Sequence, residues 1–314
     1  MLPNITYILR TYGYFVVGTM LILINIPAFL LVIIRKALRK TYVVIAVVFL
    51  NNGFTGISVI LLGMKRLIYS ADEKLISHHE CVLSIPVLLL TVLCLDGLSL
   101  LTNSLERFCV VAFPIYYYAH STRISYSLIT AQYVITITVV TAAVIASLIE
   151  PIRLISKFCV VQEVYLTHFY EALLVLTSVA SLLSVVFMVV VVVVLRKKFG
   201  AQFLSSHSHN RDLSHFLKNQ KRYTQTALIS CCFTFFLVVV PSTVECIYVM
   251  DSSITSQIIV MCCVYLRLLN SFNLVVLFLY RQRDFRYAAI QCFKHLFSER
   301  KQHVQPAVIV GFGE

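Results

Sequence analysis

The chain has 314 residues, 59% of them hydrophobic and 13% charged, with a mean hydropathy of +0.88. A water-soluble domain carries about twice that charged fraction, so no aqueous core could hide these apolar residues and lipid is the expected solvent. The net charge of +12 then reads as membrane orientation, not as a surface for nucleic acid.

Seven apolar runs follow, each near the ~20 residues that cross ~30 Å of hydrocarbon. They cover Tyr12–Ile34, Tyr42–Gly63, Cys81–Val111, Ile124–Ile149, Phe169–Leu195, Thr224–Met250 and Gln257–Tyr280. No soluble domain fits between them and no internal repeat is visible. The expected fold is an all-α membrane protein, a seven-transmembrane helix bundle whose termini face opposite sides. Met1–Arg10 lacks a basic n-region, apolar core and cleavage site, so the first run is expected to act as signal and anchor.

Lys and Arg set the orientation. One set of connections holds Arg35, Lys36, Arg39 and Lys40, then Arg107 and Arg123, then Arg196, Lys197, Lys198, Arg211, Lys218, Lys221 and Arg222. With Arg281, Arg283, Arg286, Lys294, Arg300 and Lys301 of the tail these make nineteen. The opposite connections hold six: Arg10, Lys65, Arg66, Lys74, Arg153 and Lys157. This asymmetry predicts an extracellular amino terminus and a cytosolic carboxyl terminus. It places the sequon Asn4-Ile5-Thr6 outside, where Asn4 is a glycosylation candidate. It also puts Cys81 and Cys159 on the oxidising side, as a disulfide or as two free thiols. Cys94, Cys231, Cys232, Cys262 and Cys263 lie inside apolar runs and read as packed small hydrophobes.

The third run contains one carboxylate, Asp96, and ends in Glu106-Arg107-Phe108, with Pro114 and Tyr117 beyond. An acid–base pair there marks the edge of the hydrocarbon, and Pro114 marks a turn that the helix cannot continue through. Asp96 lies eleven residues, about three turns, inward from Arg107. Charges at that depth are costly and are functional candidates by default. The second run carries Asn51 and Asn52 at similar depth, and the seventh Asn270, Ser271 and Asn273. The loop Phe199–Lys221, with His207, His209 and His215 among Ser and Asn, reads as a linker and not as a metal site. Past Tyr280, the residues Phe285, Ala289, Cys292, Phe293 and Leu296 recur at three- and four-residue steps on a basic background, as in a helix lying in an interface.

Glu106, Arg107, Phe108, Pro114 and Tyr117 resemble the Asp/Glu-Arg-Tyr motif and following Pro-x-x-Tyr turn of rhodopsin-like (class A) G-protein-coupled receptors, with Phe in place of Tyr. The resemblance implies that Glu106 holds Arg107 at rest, and that Cys81 pairs with Cys159. It also implies that the basic segment after Tyr280 is a short amphipathic cytosolic eighth helix with Cys292 placed for palmitoylation. The receptor domain then spans residues 1–297, and 298–314 is a short tail. Asn25 is similar to the family's first-helix asparagine. Asn51 falls where the family usually carries a helix-two aspartate, and Asn270-Ser271 falls on its helix-seven Asn-Ser pair. These positions surround a sodium ion in family members. The expectation is a pocket in which the acid has moved to Asp96, with Asn51, Asn270 and Ser271 as hydrogen-bonding neighbours and a possible bound sodium ion.

The chain departs from the pattern elsewhere. Leu274–Phe278 replaces the helix-seven Asn-Pro-x-x-Tyr, and there is no Trp, whereas Pro241 matches the sixth-helix kink. Such losses resemble divergent nematode serpentine chemoreceptors. For a ligand site, Leu89, Leu90 and Leu93 face out from helix three, and Glu245 and Arg267 either pair or meet a charged ligand group. With no acid in those outer turns, an apolar small molecule or a peptide end is expected in preference to a monoamine. No nucleotide loop, paired intramembrane acids or metal spacing points to an enzyme. The implied partners are an extracellular small-molecule or peptide ligand, a heterotrimeric G protein and membrane lipid. The competing class is a seven-helix transporter or channel lined by Asp96, Glu245 and Arg267.

Overall fold

The structure is a computed structural model, and it describes residues 9–69, 75–156, 159, 161–165, 167–198, 225–226, 228–250 and 257–302. Seven of its helices are long and apolar enough to cross a membrane, so the chain is a multi-pass, all-α membrane protein. The first, α1 (Tyr14–Ile34), continues a π-helical turn at Leu9–Gly13, and α2 is Lys36–Tyr69. Next come α3 (Ile85–Ala112), α4 (Pro114–Ile149) and α5 (Thr167–Lys198). The sixth crossing is the helical segment Leu228–Glu245, in which a π-helical turn at Phe235–Val239 leads into α6 (Val240–Met250), and α7 is Gln257–Arg281. One residue later comes a further helix, α8 (Arg283–Gln302). Asn4, the histidine-bearing loop and residues 303–314 of the tail lie outside the described residues.

Three helix starts differ from the sequence reading, each for a local reason. The second helix begins at Lys36, and the expected limit at Tyr42 is a kink inside it (φ −127°, ψ 22°). The third begins at Ile85 because Pro86 occupies its first turn, where a missing N–H leaves no bond unmade. Cys81 falls instead in a one-turn helix, His78–Val82. Pro114 was expected as a stop. It ends α3 but starts α4 at once, and a kink at His120 (φ −122°, ψ 19°) separates that first segment from the spanning part.

The helices form a closed ring around α3. Helix α3 packs on α2, α4 and α5; α5 meets α6, α6 meets α7, and α7 returns to α1. Small residues allow two close crossings. A Cβ on Gly56 would lie 2.8 Å from the Gly18 carbonyl oxygen across α1–α2, and one on Gly97 would lie 2.9 Å from the Thr177 carbonyl oxygen across α3–α5. Helix α4 stands outermost. Only 17% of its most apolar window is buried, and Val134, Ile137 and Ile145 project outward, as suits a side that meets lipid.

Both ends of the bundle are tied. At one end, β1 (Leu75–Ser77) pairs antiparallel with β2 (Leu154–Ser156), Ile76 opposite Ile155. The Cys81–Cys159 disulfide joins the same two connections with a Cα–Cα distance of 5.5 Å. Buried His78 accepts the Arg153 backbone N–H at Nδ1 (3.2 Å), which leaves its Nε2 to donate to the Ser147 carbonyl (3.0 Å). At the other end, Phe278 of α7 meets Phe49 of α2 and Phe285 of α8 edge-to-face, at centroid distances of 6.1 and 6.0 Å. Phe285 is 1% exposed and Ala288 is also buried. The start of the expected interfacial face is therefore docked on α1, α2 and α7, while Cys292 is exposed. The side chains of Phe293 and Leu296 lie outside the described ones.

Candidate functional site

Near the disulfide end the ring surrounds a partly open cavity of about 140 Å³. Leu89, Leu93 and Asp96 of α3 line it, since spacings of four and three residues put side chains on one helical face. Leu90, expected with them, is rotated about 100° away; it is 1% exposed and packs in the core with Val140, Ala143 and Leu173. Val59, Leu62, Val264 and Leu268 form the apolar walls. Arg66 stands with its guanidinium 5.2 Å from the centroid of the Tyr14 ring, a cation–π contact at the end of the cavity bounded by Cys159 and Val161.

Glu245 and Arg267 pair at 2.6 Å, and Tyr170 donates its hydroxyl proton to Glu245 Oε1 at 3.0 Å. Of the two options left open by the sequence the structure shows the pair, and the pair forms part of the cavity wall. Tyr170 ties α5 to α6 there, and nothing in the spacing of a lone tyrosine signals it. Lys65 is a second contact not legible in sequence. Its Nζ donates to Ser84 Oγ at 3.2 Å and approaches Cys159 Sγ at 2.8 Å, anchoring α2 to the disulfide.

Below the cavity the hydrogen bonds of the polar residues form four groups instead of one network centred on Asp96. Asp96 accepts from Thr55 Oγ1 at 3.4 Å. Asn51, expected beside it, donates to Ser99 Oγ (2.8 Å) and accepts from the Tyr133 hydroxyl (2.9 Å), and Gln132 donates to the same Ser99 (3.0 Å). Asn52, one residue on and about 100° around the helix, turns to α1 and α7. It donates to Asn25 Oδ1 (3.3 Å) and to the Ser271 carbonyl (3.1 Å), which also accepts from Asn25 at 3.4 Å. Ser271 thus enters through its backbone, not through its hydroxyl. Asn270 accepts from Thr234 Oγ1 at 2.9 Å, joining α7 to α6.

A second, smaller cavity of about 10 Å³ lies under the first, lined by Asn52, Asp96, Ser230 and Asn270. That is room for about one water-sized particle. A carboxylate with amide and hydroxyl oxygens is a fitting donor set for a hard cation. Asp96 lines both cavities. Among the described residues no group of three or more His, Cys, Asp or Glu could hold a metal ion.

At the far end of α3, Glu106 and Arg107 pair through Oε2 and Nη2, with both side chains buried. Glu106 Oε1 accepts from the Tyr117 hydroxyl at 2.9 Å and from Ser125 Oγ at 2.8 Å. The structure therefore shows the Glu106–Arg107 pair that the resemblance implies, and adds Tyr117 and Ser125 as donors to Glu106. Ser125 lies eight residues after Tyr117, on the other side of the kink at His120, and both hydroxyls reach Glu106 Oε1. Phe108 packs on Phe187 of α5, with centroids 5.8 Å apart.

No protein-family model matches the chain, and no curated protein matches it.

Proposed function

We propose that this chain is a cell-surface receptor that binds an extracellular small molecule in the larger cavity and activates a heterotrimeric G protein. The observation that carries this reading is the placement of two different sites on α3. A cavity floored by Asp96 lies toward the disulfide end, and the buried Glu106–Arg107 pair, clamped by Tyr117 and Ser125, lies toward the other. A ligand that repacks α3 against α5 and α6 would loosen the clamp, and the freed Arg107 would serve the G protein. The cavity is too small for a peptide, so a small ligand is the better-supported half of the expectation. The charge asymmetry supports an extracellular disulfide end in the plasma membrane and a cytosolic α8. The small cavity under Asp96 supports a bound sodium ion as a modulator. The resemblance in the Glu106–Tyr117 segment supports a chemosensory receptor of the rhodopsin-like class, divergent as in nematodes.

The test is a reporter-cell screen of a chemically diverse ligand panel. The expected result is a second-messenger response that Arg107→Ala abolishes while surface expression persists. A response unchanged by Arg107→Ala would overturn the switch. One observation favours a transporter or channel as the second reading: a single acid, Asp96, lines two successive cavities. Uptake or ion flux in liposomes holding only the purified chain would establish that reading instead.

A further inference from the structure

We propose that the ligand is a small zwitterion, a free α-amino acid with an apolar side chain. The proposal rests on the larger cavity being the ligand site of the receptor reading. Its premise is a disagreement between sequence and structure. The outer turns of helix three carry no acid, but the structure makes Asp96 part of the cavity lining.

Among the described residues Asp96 has few partners, a hydrogen bond from Thr55 and the nearby charge of Arg267. An ionised carboxylate has about four acceptor positions, and this one accepts a single long bond from Thr55. An ammonium group brings three donors and a compensating charge. The cavity's other acid is already committed, because Glu245 holds Arg267 and accepts from Tyr170. Arg267 in turn has donors to spare: Nη2 meets Glu245, while Nε finds no acceptor. A ligand carboxylate would complete the guanidinium's fork.

Charge and size narrow the class. The lining carries two cations, Arg66 and Arg267, and two acids, Asp96 and Glu245. A ligand with net charge would leave one charge of this balanced lining unmatched, which is costly where little water reaches. A zwitterion supplies both charges and adds no net charge. A cavity near 140 Å³ is comparable to the ~150 Å³ that admits one benzene, enough for a single amino acid of medium size. Leu62, Leu89, Leu93 and Leu268 give its side chain an apolar bed.

The test uses the full chain in lipid nanodiscs and calorimetry with three matched probes. These are L-leucine, 3-methylbutylamine (leucine without the carboxylate) and 4-methylpentanoate (leucine without the ammonium). L-Leucine should bind about 10-fold to 100-fold more tightly than either, the worth of one charged hydrogen-bonded contact. Asp96→Asn should reduce L-leucine to the affinity of 4-methylpentanoate. Because Arg267→Gln alone strands a buried Glu245, the paired variant Glu245→Gln/Arg267→Gln is used, and it should reduce L-leucine to the affinity of the amine. Equal affinity for L-leucine and either single-charge probe overturns the proposal, as does absence of L-leucine binding. Failure of the receptor reading looks different: L-leucine binds as described but drives no nucleotide exchange on any G protein. An uncharged odorant that drives exchange and is not displaced by L-leucine sinks the zwitterion and leaves the receptor standing.

Discussion

The hydroxyl clamp on Glu106 can be tested without knowing any ligand. The perturbations are Tyr117→Phe and Ser125→Ala, singly and together. Both hydroxyls donate to the same oxygen, Oε1, at 2.9 and 2.8 Å, and they lie 3.5 Å from one another. Glu106, Tyr117 and Ser125 are all buried, so water cannot replace a lost donor cheaply. A hydrogen bond to a charged group is worth roughly 1.5–3 kcal/mol. Removing one hydroxyl leaves the other on the oxygen, so each single variant should lose about 1 kcal/mol. Removing both leaves Oε1 bare, and the double variant should lose about 3–4 kcal/mol, a coupling of about 1–2 kcal/mol. The assay is reversible unfolding in mixed micelles with increasing denaturing detergent. If the singles each cost under about 0.5 kcal/mol and the double is their simple sum, the hydroxyls do not hold Glu106 and the reasoning fails. In the receptor reading the double variant should also raise basal nucleotide exchange.

Three further outcomes follow from local geometry. Gly97→Ala places a methyl 2.9 Å from the carbonyl oxygen and 3.0 Å from the Cα of Thr177; backbone cannot yield as a side chain does, so unfolding should show a loss of about 1–3 kcal/mol. Cys81→Ser opens a crosslink across 78 residues, worth at most about 4.5 kcal/mol in the chain-entropy account; detergent unfolding should show a smaller loss, because the reference chain stays confined in the micelle. Burial holds the Tyr165 phenol, which donates to the Val82 carbonyl at 3.1 Å, above the usual tyrosine range. The unfolded phenol starts losing its proton near pH ~10 while the folded one keeps it, so stability falls as pH rises past that point. Tyr165→Phe should flatten the alkaline limb of the unfolding curve.

The fold was legible because hydrocarbon demands long uninterrupted apolar runs, and a run of that length has few alternatives to a helix. Boundaries were less legible. Pro86 and Pro114 start helices here, and a proline reads the same whether it opens a helix or closes one until its neighbours are placed. The Glu106–Arg107 pair was legible from the motif, but the Tyr117 hydroxyl on Glu106 was not, because the corner at Pro114 has to be placed first. Ser125 was not, because only a helix continuing through the kink at His120 brings it under Glu106. The polar layer shows the limit of reading depth alone. Asn51 and Asn52 occupy the same depth, yet the 100° between them sends one to Ser99 and Tyr133 and the other to Asn25 and α7. Depth is a property of position in the run. Azimuth depends on which helices pack where, and no single run states it.

Azimuth also explains why Asp96 changes its meaning. Counted from Arg107 it belongs to the polar layer of the bundle. Yet Leu89, Leu93 and Asp96 share one face of α3, so the acid is at once the top of the polar layer and the floor of the larger cavity. A charge in that position is coupled to both. Anything that neutralises it from above, an ammonium group for instance, removes the reason for a cation to occupy the small cavity below. The two binding events should therefore oppose each other, and linkage makes the opposition reciprocal. Sodium should weaken the binding of a cationic or zwitterionic ligand by the same factor by which that ligand weakens sodium. Asp96→Asn should abolish both effects together, whereas two independent sites would lose them separately.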